Sequence, residues 1–407
     1  MTYPATAAWL RKRIWFGAVL GVVPWVVWLA SLGIGGWYKD AEGTLVGADH
    51  LAFFHAARLI GEGRQIDLYD YSQLGDEGYQ RSLIGWNWGG FLAYRNPPFY
   101  ALLYLPTTGY SFYTSYLIWT AIGIALLALS IVLLRPQRPF RVFLWALAFY
   151  PVFATVSFGQ NTFLSLAIFA GVYRLLETDR RFSAGLVAGL LWFKPQLLLG
   201  LFVWWAFQPV RYFRAWLGVA VTGLVLAAIS LAALPEASQA FADSLWGNVA
   251  FTGEKMWNKH TPRAFFEMLA PGLPAGVYWA LAGVVSAACV ALAWRVKQRS
   301  GAPVATMFPV AIFLSLYASP HALIYEWALA FAAGVVLWER FPALRDRWLC
   351  LFAVSWLILM VSTPLSLVQE RFLHLPAVVQ ISVPVMGVVG WLAARELMAA
   401  RPAGAHP

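Results

Sequence analysis

Charged residues make up only 12% of this chain, about half the share of an ordinary soluble domain. That scarcity excludes a water-facing surface over most of the molecule. Cysteine is almost absent: Cys289 and Cys350 both fall inside apolar runs, which leaves no disulfide framework and no cysteine metal motif. No Gly-rich phosphate loop stands at a strand-to-helix junction, and no block of like charge or low-complexity stretch divides the chain. The His and acidic residues show no metal-ligand spacing, so nothing requires a metal or other cofactor, although a divalent ion held by Asp49 and one loop residue stays open. The first apolar run is long for a signal peptide and lacks a clean cleavage site, so it reads as an uncleaved anchor.

What is present is apolar. Hydrophobic residues are 60% of the total, with 22 Trp and 17 Tyr suited to membrane interfaces, and the mean hydropathy is +0.64. Membrane-length runs fall at about 14–35, 112–134, 142–157, 162–176, 183–193, 196–209, 215–234, 275–294, 303–318, 323–338, 348–363 and 376–394. Basic residues cluster between particular runs, as at Arg11–Arg13, Arg135–Arg141, Arg180–Arg181, Arg295–Arg299 and Arg340–Arg347. By the positive-inside rule these face the cytoplasm, and the net charge of +10 is mostly topology rather than a nucleic-acid surface. The expectation is an all-α polytopic membrane protein, a single embedded domain over 1–407. It has about twelve transmembrane or partly re-entrant helices and both termini cytoplasmic.

Three pairs of runs, 142–176, 183–209 and 303–338, begin and end with basic residues, so each returns to the side it left. A leg of about 16 residues reaches about 24 Å, short of a hydrocarbon core of about 30 Å. The tips are therefore expected to sit sunk in the outer leaflet. They carry Gly159-Gln160-Asn161, Lys194-Pro195-Gln196, and Ser319-Pro320-His321 with Tyr325-Glu326. Broken backbone at that depth is tolerated where it lines a cavity, and ionisable groups there point to function.

Two longer outer loops complete this picture, 36–111 and 235–274. The first places Asp49 just outside the first span, followed by an amphipathic stretch with Phe53, Phe54, Ala56, Ala57 and Ile60 on one face. It continues through LYDYSQL (68–74) and YRNPPFYALLYLP (94–106), a short apolar piece expected in the interface or re-entering. The second groups Lys255, Lys259, His260 and Arg263 ahead of an amphipathic run.

The segments GADHLAFFHAARLIGEG, LYD, RNPPFYALLYLP, FGQNTFLSLAIF, AGLLWFKPQLLLG, WNKHTPRAFFEML and SPHALIYEWAL, in this order over about positions 10–395, resemble glycosyltransferase family 87. The resemblance implies a GT-C-like fold and transfer of a sugar, mannose first among candidates, from a polyprenyl-phosphate donor to a glycolipid or glycan acceptor. It also implies inversion at the anomeric carbon and an active site on the outer face of a cell (inner) membrane. His50 and the His-Ala-Leu-Ile-Tyr-Glu tip depart from the family pattern and bear on substrate more than on reaction type.

The chemistry assigns roles. An acceptor hydroxyl needs a general base, and Asp49 is the candidate. A departing phosphate needs cations or hydrogen-bond donors, and Lys194, His321, His260, Lys259 and Arg263 are the candidates. Gln160 and Asn161 suit sugar hydroxyls, while His50, Arg95, Asn96, Tyr325 and Glu326 are candidates for acceptor contact or support. Each has a plainer competitor. Asp49 is also a good helix N-cap. Asp67 and Asp70 suit turn fixing. Lys194 suits snorkelling to the interface, and His260 with its basic neighbours suits lipid headgroups. Glu326 suits pairing with a base. Transfer of a pentose such as arabinofuranose, and transport or flipping of a lipid or sugar through broken helices, are the competing functions.

Overall fold

A computed structural model of the chain describes residues 3–40, 44–69, 75–85, 91–246 and 256–400. Asp70 and Lys255, and most of the 68–74 segment, lie outside them. The described residues form helices without a strand; two isolated bridges, Lys39 with Leu45 and Lys259 with Leu323, tie loops together. Five helices are long and apolar enough to cross a membrane: Ile14–Gly35, Phe112–Leu134, Pro209–Ala233, Ala275–Ser300 and Pro342–Phe372. A sixth span arises if the bent pair Pro139–Leu147 and Tyr150–Phe158 counts as one. This is an all-helical membrane protein. The further passes expected from the sequence fall on shorter helices, among them Arg181–Phe193, Pro195–Ala206 and Val304–Tyr317.

Those shorter helices build three hairpins with broken tips. The bent pair turns by 65°, and Pro151 explains the break, because it has no N–H to offer the preceding turn. Two carbonyls near the break take indole donors from other helices. Trp25 Nε1 donates to Leu147 O at 2.8 Å and Trp356 Nε1 to Ala148 O at 2.9 Å. Unpaired backbone in an apolar setting would cost several kcal/mol per group, so these tryptophans act as more than interface anchors. The first hairpin then turns at Gly159–Asn161 into Thr162–Glu177. The second narrows to 3-10 turns on both sides of Lys194. The third runs from Val304–Tyr317 through Ile324–Ala328 into Leu329–Arg340.

Small residues let the hairpins pack closely. A Cβ on Gly185 would lie 2.0 Å from Ala215 O, and one on Gly200 1.8 Å from Ala311 O. Such contacts are the usual means of helix association in an apolar medium, where burial of hydrocarbon gives little drive. At one end of the body the basic clusters meet acids: Arg11 with Asp346, Arg340 with Glu177, Arg345 with Glu339 and Arg347 with Glu396. The Phe112–Leu134 helix runs from beside His50 to Arg135, which separates its two ends by about 34 Å at 1.5 Å per residue. The tips gather at the end away from Arg135.

The 94–106 segment packs into the protein. Tyr94, Tyr100 and Tyr104 are buried, Tyr100 stacks on Phe193 with ring centroids 4.6 Å apart, and Phe99 N donates to Ser230 Oγ at 3.2 Å. Its short apolar run is thus explained by contact with the second hairpin and the Ala48–Gly61 helix, whose Phe53 stacks on Tyr104.

Candidate active site

Asp49 stands in the first turn of the Ala48–Gly61 helix. The N-cap is Gly47, with a left-handed φ of 65°, so the capping reading of Asp49 is set aside and its carboxylate is left to face outward from the helix start. Gly47 donates its N–H to Ser157 O at 3.0 Å, bringing the first hairpin tip against the helix. Gly159 sits there with φ 70°, and a Cβ on it would lie 2.8 Å from His50 Cβ and 3.0 Å from Gly47 Cα. Only glycine fits both the backbone angle and the approach.

The next residue, Gln160, meets Asp49. Its Nε2 donates to Asp49 Oδ2 at 2.8 Å and lies 3.0 Å from the Tyr325 hydroxyl. Its Oε1 accepts from Lys194 Nζ at 3.2 Å. Lys194 in turn pairs with Glu326 at 3.1 Å, both side chains being almost fully buried. Glu326 Oε2 accepts Leu323 N–H at 3.1 Å. All three hairpin tips therefore join one polar network that ends on Asp49. The paired Lys194 replaces the snorkelling one, and Glu326 has the base partner expected of it.

Burial holds the Asp49 carboxyl above its ordinary pKa of 3.8. The Gln160 hydrogen bond, the Lys194 charge and a hydrogen bond from Tyr325 act the other way, and Glu326 adds to the rise. A carboxylate that is harder to ionise than usual, yet still hydrogen-bonded in its charged form, is a better proton acceptor near neutral pH.

Beside this network lies a second, cationic group. His321 is held in its neutral form, with its pKa lowered to about 3, first by burial and then by the charges of Lys259, Lys194, Arg95 and Arg263. Lys259 falls to about 8 through burial and the neighbouring Arg263 and Arg95, against Glu267. The Lys259–Leu323 bridge and the bond from His260 N to Ala322 O at 2.8 Å dock the second loop onto the third tip. Arg263 is partly occupied elsewhere: it lies 3.8 Å from Glu267 and over the Trp279 ring at 4.3 Å.

Several expected site residues serve packing. His50 Nε2 pairs with Ser115 Oγ at 2.9 Å, on the Phe112–Leu134 helix. His260 is fully buried, its ring nitrogens meeting Ser382 Oγ at 2.6 Å and Thr363 Oγ1 at 2.9 Å. Asn96 Nδ2 donates to Phe193 O at 2.8 Å and so fixes the backbone next to Lys194. Asp67 pairs with Arg64 at 2.8 Å, as a loop-fixing acid would.

Asn161 is buried with neither side-chain polar atom in a well-formed hydrogen bond. The Tyr100 hydroxyl lies near the amide but outside bonding geometry. Tyr100 is absent from the residues picked by sequence. An aromatic in an apolar run gives no sign of facing a site, and only the stacking on Phe193 places it there.

No curated protein and no solved structure matches the chain. The model of glycosyltransferase family 87 matches residues 94–320. That span includes Arg95, Gln160, Asn161, Lys194, Lys259 and Arg263, while Asp49, His321, Tyr325 and Glu326 fall outside it. Since the match covers more than half of the 407 residues, the chain belongs to glycosyltransferase family 87.

Proposed function

We propose that this glycosyltransferase moves a sugar, mannose in the first instance, from a polyprenyl-phosphate donor to a glycolipid or glycan acceptor, with inversion and with Asp49 as general base. The single observation that carries the reading is the position of Asp49. It is a carboxylate of raised pKa at the convergence of three hairpin tips, next to Gln160, Lys194, Tyr325 and Glu326. In the reaction, the acceptor hydroxyl gives its proton to Asp49 as its oxygen bonds to the anomeric carbon. The bond from that carbon to the phosphate oxygen breaks, and the phosphate leaves with the electron pair. Arg95 and Lys259 supply positive charge to the leaving phosphate. Neutral His321 offers a ring N–H to the same group, and Arg263 adds charge from the rim. Asn161, with an unsatisfied amide, is suited to a sugar hydroxyl.

Our reading puts the site on the extracytoplasmic face, and the basic clusters at the opposite end support it through the positive-inside rule. A lipid-linked donor fits a site built from the tips of hairpins whose legs are shorter than a bilayer core is thick.

The test is purified protein in detergent with radiolabelled polyprenyl-phosphate-mannose and a membrane glycolipid extract, comparing wild type with Asp49→Asn. Product from wild type and at least about a hundredfold less from a folded variant supports the reading. Equal product from both removes Asp49 as base. No product from either across several carrier sugars, together with movement of labelled lipid across vesicles, replaces transfer with transport.

A further inference from the structure

We propose that Lys194 is a positioning residue rather than a phosphate ligand. From its seat against Glu326 it holds the Gln160 carboxamide in the one orientation that turns Nε2 toward Asp49. This rests on the reading of Asp49 as the base.

The argument is one of donors and acceptors. A carboxamide has an accepting end and a donating end, and two orientations of similar shape. A lysine ammonium has only donors, and an ionised carboxylate only acceptors. With Lys194 Nζ 3.2 Å from one end of Gln160 and Asp49 Oδ2 2.8 Å from the other, only one orientation satisfies both. The Asn161 backbone N–H, 3.3 Å from Gln160 Oε1, favours the same one.

Lys194 itself has little freedom. Its side chain is 9% exposed and that of Glu326 2%, and Glu326 is fixed by the Leu323 N–H. A charge so enclosed and already matched by an opposite charge has little left for a substrate phosphate. The order Leu323, Glu326, Lys194, Gln160, Asp49 thus forms a rigid relay across all three hairpins. Its consequence is that Asp49 keeps both its aim and its charged form. The charged and titratable groups facing Asp49 are Lys194 from the second hairpin and Tyr325 and Glu326 from the third. Arg95 reaches it through Tyr325, and His50 on its own helix points to Ser115.

The experiment is a double-mutant cycle on the full chain in detergent, read by infrared titration of the Asp49 carboxyl band, identified by its loss in Asp49→Asn. One arm is Gln160→Leu. The other is Lys194→Met with Glu326→Gln, which removes both buried charges together and so avoids leaving one unpaired. Each arm is expected to move the Asp49 midpoint to higher pH, and the combined variant by less than the sum of the two, because only the direct charge of Lys194 on Asp49 adds to the loss of the Gln160 bond. Lys194→Arg, which keeps the donor, is expected to restore the wild-type midpoint. Transfer from polyprenyl-phosphate-mannose is expected to fall about tenfold in both arms at neutral pH, with donor KM within about twofold of wild type.

Shifts that add in the combined variant overturn the relay, as does an unmoved midpoint. A tenfold or greater rise in donor KM confined to the Lys194 arm overturns it in favour of direct phosphate contact. Full transfer activity in Asp49→Asn removes the base reading by itself, and the titration cycle still decides whether the relay exists.

Discussion

Gln160 Nε2 donates to Asp49 Oδ2 at 2.8 Å although 111 positions separate the two residues. The contact exists because two left-handed glycines let two turns meet. Gly47 starts one helix and Gly159 ends another, and the Gly47 N–H is spent on Ser157 O. An amide that would otherwise be an ordinary helix-end residue thereby becomes the nearest polar partner of a candidate base.

Gly159→Ala tests that docking. Its added Cβ meets His50 Cβ at 2.8 Å at a φ of 70°, a combination that costs about 1–3 kcal/mol. The expected result is a lower midpoint of thermal unfolding in detergent and roughly 10–100-fold slower transfer, as Gln160 and Asp49 are pushed apart. Gly283→Ala, inside the Ala275–Ser300 helix with open space around it, is the control and should be neutral or slightly stabilising. Equal behaviour of the two variants would show that the turns do not depend on the close approach.

The raised pKa of Asp49 gives a signed prediction. The folded state binds the proton more tightly than the unfolded chain. Stability attributable to this group is therefore greatest at low pH and declines as pH rises from the unfolded value of 3.8 through the folded one. Asp49→Asn, which mimics the protonated form, should leave the protein as stable as wild type or more so at neutral pH while abolishing transfer. Activity of the wild type should fall as pH drops through the raised pKa. A marked loss of stability in Asp49→Asn would instead mark the carboxylate as structural.

Lys259 predicts the other limb. Held at about 8 by burial and by neighbouring cations, it loses its charge as pH rises through that value. The kcat/KM for donor should then decline above about pH 8, because this ratio reports the free enzyme. Lys259→Gln should lower kcat/KM at neutral pH and flatten the alkaline limb. A limb unchanged in Lys259→Gln would assign it to another group.

His260 is expected to matter for folding alone. His260→Leu leaves the Ser382 and Thr363 hydroxyls without their ring partners, a cost of about 1–3 kcal/mol for each group left unsatisfied. Thermal unfolding should show the loss. The fraction that stays folded should keep the wild-type donor KM, and a raised KM would return His260 to the phosphate site.

Much of this was legible in the chain. The three returning hairpins were visible as apolar stretches bounded by basic residues, and their tips as Gly, Pro and polar interruptions at the middle. These are local signals: length against membrane thickness, and residues that cannot continue a helix. The Pro151 bend was less legible, because its stability comes from Trp25 and Trp356, indoles that in sequence look like any interface anchor. Sequence put His260 and His321 among the phosphate ligands and His50 among the acceptor or supporting groups. Packing separates them: His50 takes Ser115, His260 takes Ser382 and Thr363, and His321 comes under the charges of Arg95 and Lys259.

The sequence by itself determined the membrane class, the breaks at the hairpin tips and the set of polar residues available there, since hydrophobic run length and helix-breaking residues act over a few neighbouring positions. Only the tertiary structure decided which of those residues face one another. It set Lys194 against Glu326, turned Gln160 to Asp49 and hid His260 behind Ser382. Hydrogen bonds and ion pairs form over about 3 Å, and which groups come that close depends on the packing of helices more than a hundred residues apart.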